Sequence, residues 1–165
     1  MPRGSVIGRL QSRRARMATG ETSNPIQPVP TRTGKQYLFS DKHHGLVPDA
    51  AQWLRDLSRE DEFAIFDTAD TFELCDDRGR LYGLRRNPEG RILKLGTRDE
   101  QIAEFPFARP NAPWHGYPIY PLREAGPENR QGEKHRPSRD VFDKMVAVGL
   151  LQNSQMKRLM KGDHV

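Results

Sequence analysis

The groups in this chain best suited to chemistry are its histidines and their neighbours. Trp114-His115-Gly116-Tyr117-Pro118 sets an imidazole, which titrates near neutral pH, one residue from an indole and two from a phenol. With Tyr117, Arg109 or His135 as helpers, His115 could serve as general acid or base while arginine stabilises developing phosphate charge; together they would cleave RNA without a metal. The same string supports a non-catalytic reading. Prolines hold aromatic rings at low entropic cost, as protein-binding hot spots do, which makes Trp114, His115, Tyr117 and Tyr120 a candidate partner-binding set. In the plainest reading the rings belong to the core.

Asp41-Lys42-His43-His44 is the second constellation. Asp41 and His43, two apart on a loop, could share a metal ion with His44, but a stable site needs three or four ligands and no second pair is evident. The chain has neither an H-E-x-x-H nor a C-x-x-C pattern, and no glycine-rich phosphate loop, so the sequence calls for no metal and no other cofactor. Asp67 and Asp70, following the apolar run Phe63 to Phe66, read as acids flanking a turn between strands. A single cysteine, Cys75, excludes an internal disulfide scaffold.

Net charge is +5 and the pI about 9.6, values that suggest a polyanionic partner until the charge is located. Arg3, Arg9, Arg13, Arg14 and Arg16 stand in a stretch without acids, and the rest of the chain balances at 22 basic and 22 acidic residues. The first 16 residues therefore read as a solubilising tail, an arm making phosphate contacts, or a mitochondrial transit peptide; without the last, the expected location is cytoplasmic. No apolar run approaches the roughly 20 residues of a spanning helix, and no membrane is expected as partner.

These groups need elements to hold them. Leu, Ile, Val and Phe make up about a fifth of the chain, near the border for packing a core, and residues 18–36 carry Pro25, Pro28 and Pro30 with few aliphatics. Residues 1–36 thus read as a disordered Arg-rich arm and linker, and 37–165 as one α+β domain. Ala50, Trp53, Leu54 and Leu57 predict a helix over 48–59. Over 62–107, the runs Phe63–Phe66, Phe72–Cys75, Leu81–Leu84, Ile92–Leu95 and Ile102–Phe107 predict an antiparallel meander of four or five strands, with turns at Asp76–Gly79 and Asn87–Gly90.

Six prolines in 106–127 exclude a helix or a central strand, yet Trp114, Tyr117 and Tyr120 lie there, so this stretch reads as an ordered strap along the sheet; residues 124–137 read as a mobile loop. Residues 138–162 predict a helical hairpin. Ser138 caps its first helix, Gly149 ends it, and Asn153 or Ser154 opens a second whose Lys157, Arg158 and Lys161 face outward. The functional expectation is a non-catalytic interaction or regulatory protein binding a protein partner through the strap. The alternative is a nucleic-acid protein, either a binder using the N-terminal arginines with Lys157, Arg158 and Lys161, or a metal-independent ribonuclease using His115.

Overall fold

The computed structural model describes residues 27–45, 50–119 and 136–165. The Arg-rich arm, Tyr120, His135 and most of the 124–137 loop lie outside them. Within them is an α+β arrangement of two small antiparallel sheets and three helices. Strands β1 (Val29–Pro30) and β2 (Gln36–Tyr37) form a hairpin. A 3-10 turn, Asp41–His43, precedes α1 (Arg59–Thr71). The main sheet has the order β3 (Leu81–Gly83), β4 (Ile102–Phe105), β5 (Tyr117–Ile119), and α2 (Arg139–Ala147) and α3 (Asn153–Lys161) close the chain.

The first helix forms downstream of its expected place. Residues 50–58 are not helical: Trp53 bridges Gly96, and the Leu54 amide donates to the Leu95 carbonyl at 2.8 Å. The helix begins after Ser58, whose side chain accepts from the Asp61 amide at 3.0 Å, with Glu60, Asp61 and Glu62 in the first turn. Phe63–Phe66 is therefore helix, not strand. Its buried face is Glu62, Ile65, Phe66, Ala69 and Asp70 at helical spacing, joined by Asp67. Three acids on that face conceal its period from a reading based on apolar residues alone.

Those acids also order part of the expected linker. The β1–β2 turn sits on α1: Thr31 Oγ1 donates to Asp70 at 2.6 Å, and Thr33 and Lys35 also bond that carboxylate. Arg32 gives its amide and Nε to Asp67 at 3.0 and 2.7 Å. Residues 27–36 dock through polar contacts, which sparse aliphatics do not forbid. Burial alone would raise the Asp70 carboxyl, but bonds from Lys35, Thr31 and Thr33 outweigh it and hold it below the usual carboxylate range.

The main sheet has three strands, fewer than the meander expected. Phe72–Cys75 and Ile92–Leu95 each contribute only a single bridge, Cys75 to Leu81 and Ile92 to Arg86. Both expected turns are present: Asp76 Oδ1 accepts from the Arg78 and Arg80 amides, and Asn87 Oδ1 from Arg91 at 2.8 Å. The strap supplies β5 at the sheet edge, where Pro118 pairs with Ala103.

At the C-terminus Val141, Phe142 and Met145 pack inward from α2, and Met156 and Leu159 from α3. The start of α3 is shifted: Gln152 is its N-cap, and its amide donates to Gln155 Oε1 at 2.9 Å. A Cβ on Gly83 would lie 2.5 Å from Ile65 Cγ2, so glycine is what lets α1 approach β3. Gly83→Ala should cost about 1–3 kcal/mol in unfolding free energy, measured by urea denaturation, and less in an Ile65→Ala background, which lacks the opposing Cγ2.

Candidate functional site

The 3-10 turn and the strap bring together side chains 72 residues apart in sequence. His43 is 5% exposed, and its Nδ1 lies 2.8 Å from the Ala51 carbonyl. A carbonyl only accepts, so Nδ1 carries the proton and Nε2 is bare in the neutral ring. The His115 ring lies nearly parallel to that of His43, with 6.2 Å between centroids and 12° between planes. The Tyr117 ring stands 5.0 Å from His43 on the same side of the strap. His115 itself is exposed.

Gly116 lets the strap lie close against β4. A Cβ there would fall 2.3 Å from the Phe105 ring, and the Gly116 carbonyl accepts from Trp53 Nε1 at 3.3 Å. Trp114 points inward, 8% exposed, against Phe66 and Phe107; its amide donates to Gln36 and its carbonyl accepts from Leu38. The indole proposed as a partner anchor is thus a core residue.

Two buried polar networks border the histidine pair. In one, fully buried Glu62 accepts from the Tyr37 hydroxyl, and His44 Nε2 donates to its other oxygen at 2.8 Å. In the other, Tyr117 donates to Glu104 at 3.2 Å, and Arg80 spans Glu104 and Asp76 at 3.8 and 2.6 Å. Burial and the Glu104 charge push the Tyr117 phenol up, so it stays protonated at all ordinary pH.

Desolvation by the packed protein lowers His43 and, on its inner side, His115 below the ordinary imidazole value, and the Lys42 charge lowers each further; for His43 the Ala51 bond opposes the shift without cancelling it. Both rings are therefore neutral at pH 7. An exposed neutral imidazole backed by a second ring, with a cation and a protonated phenol nearby, can accept and return a proton.

The remaining candidates are dispersed. Asp41 meets Arg59 at 3.7 Å, and His43 and His44 bond Ala51 and Glu62, so the three proposed metal ligands do not converge. Among the described residues no group of three metal-ligating side chains occurs. Arg109 is exposed, and no described contact ties it to His115. Lys157, Arg158 and Lys161 are exposed on α3. The pairing of His43 with His115 was not visible in the sequence; Gly116 inside a proline-rich aromatic string was the one local sign of close backbone approach.

No protein-family model, curated protein or solved structure matches the chain. Among the described residues, no helix is long and apolar enough to cross a membrane.

The geometry yields two expectations. Trp114→Ala should cost about 3–5 kcal/mol and lower the melting temperature sharply in thermal denaturation. The histidines give a pH dependence. Because their folded values lie below the unfolded 6.5, the folded chain binds fewer protons. Their stabilising contribution is complete above about pH 6.5 and is lost as pH falls through the folded values. Calorimetry from pH 7.5 to 5 should show the melting temperature declining, and less so in His43→Asn.

Proposed function

We propose that the protein is a metal-independent ribonuclease whose reacting group is His115. The observation that carries this reading is the stacked pair of neutral imidazoles, one exposed and one anchored through Nδ1, with the Tyr117 ring beside the anchored one. Neutral His115 takes the proton of a ribose 2′-hydroxyl. The 2′-oxygen attacks phosphorus, the P–O5′ bond breaks, and the imidazolium returns the proton to the departing 5′-oxygen, leaving a 2′,3′-cyclic phosphate.

Each neighbour has a role in this scheme. The Lys42 charge depresses His115 and would offset charge on the phosphoryl oxygens. His43 supports the reacting ring from behind, and its bond to Ala51 fixes its own orientation. Tyr117, held by Glu104, stays a neutral phenol against the pair.

A partner-binding role for the strap has less support, because Trp114 is buried and the Tyr117 hydroxyl is committed to Glu104. His115 alone of the described strap residues in that set remains exposed.

The test is cleavage of a single-stranded RNA oligomer in the presence of EDTA. His115→Ala should lose about 10²–10⁴-fold in rate while retaining RNA binding and the wild-type melting temperature. Activity should persist on the acid side of pH 6.5, since the base stays neutral there. Absence of cleavage by the wild-type chain, or equal rates in His115→Ala, would overturn the reading.

A further inference from the structure

Phe107 is the most exposed large apolar side chain among the described residues, at 62%. Its ring is nonetheless fixed. It stands edge-on to Trp114 at 5.9 Å and 83°, and it rests on Gly79, where a Cβ would come within 3.0 Å of it. Pro106 and Pro110 bracket the segment and limit its backbone. A ring presented to water in one orientation loses little freedom when something stacks on it.

Exposed arginines neighbour it and the Gly79 beneath it in the chain, with exposed Asp77 next to one of them. Arg78, next to Gly79 beneath the ring, and Arg109, two residues beyond it, are both exposed. Neither guanidinium pairs with a carboxylate among the described residues. Lys35 Nζ lies 6.0 Å from the Trp114 ring centroid and is paired with Asp70. The strap joins this ring to His115, eight residues on, with Trp114 immediately before the histidine.

We propose that Phe107 is a stacking platform for one unpaired base of a single-stranded RNA, with Arg78 and Arg109 holding the flanking phosphates. The inference rests on the reading of His115 as the cleaving group and adds the substrate class: single-stranded, because a base inside a duplex has no free face to offer. Stacking tolerates any base, so the platform positions the strand without reading sequence. A protein hot spot would join the ring to a wider apolar patch; here the turn beneath the ring and the strap beyond it each carry an exposed arginine.

The probe is a fluorescein-labelled 2′-O-methyl oligouridine, which lacks the attacking hydroxyl, so binding is read by anisotropy independently of cleavage. The wild-type chain should bind the single strand more tightly than the same strand in a duplex. Phe107→Ala should weaken binding about tenfold and Phe107→Trp should preserve it, both variants remaining folded at the assay temperature by circular dichroism. In Arg78→Ala/Arg109→Ala, which leaves the ring in place, the slope of log affinity against log salt should shrink by about 1.4. Undetectable binding by the wild-type chain, equal affinity for strand and duplex, or wild-type affinity in Phe107→Ala would each overturn the platform. The same binding pattern without any cleavage by the wild-type chain would overturn the ribonuclease reading and support the platform alone.

Discussion

The placement of three carboxylates on the inner face of α1 constrains much of the rest. Glu62, Asp67 and Asp70 are 0%, 8% and 1% exposed. A buried carboxylate without partners costs several kcal/mol, so each must be met by donors. The donors come from well before the helix: Thr31, Arg32, Thr33 and Lys35 for two of the acids, Tyr37 and His44 for the third. Meeting this demand draws residues 29–44 onto α1 and delivers the Asp41–His43 turn to the edge where the strap passes.

The three described histidines of this region then differ by environment alone. His44 faces a carboxylate. His43 faces a carbonyl and two aromatic rings, and His115 faces His43 and an ammonium group. Burial without a bonded acid keeps the last two neutral, the state a base needs. On the sheet side, Glu104 and Arg80 do for Tyr117 what Ala51 does for His43, restricting a ring through its polar end.

Legibility in the sequence followed the apolar pattern. The C-terminal hairpin, with Ser138, Gly149 and Gly162 as punctuation, follows ordinary helical spacing and reads correctly. Helix α1 does not, because acids occupy inward positions; the signal available was Ser58 followed by three acids, an N-terminal signature stronger than the Ala50–Leu57 spacing. The turn at 31–35 docks by hydrogen bonds, which composition does not register. Of the candidate site, the strap was legible as an ordered segment carrying His115 and Tyr117. The partner ring was not, since no spacing rule links residues 43 and 115.

The molecule consequently has two kinds of seam. The 31–35 turn is fastened to α1 by ions and hydroxyls, whereas α2 and α3 adhere through Phe142, Met145, Met156 and Leu159. Protonating the carboxylates loosens the first and leaves the second intact, while cooling weakens the second by diminishing the hydrophobic drive and spares the first. The two ends of the chain therefore respond to different solvents, so that an acid-loosened molecule and a chilled one would come apart at opposite termini.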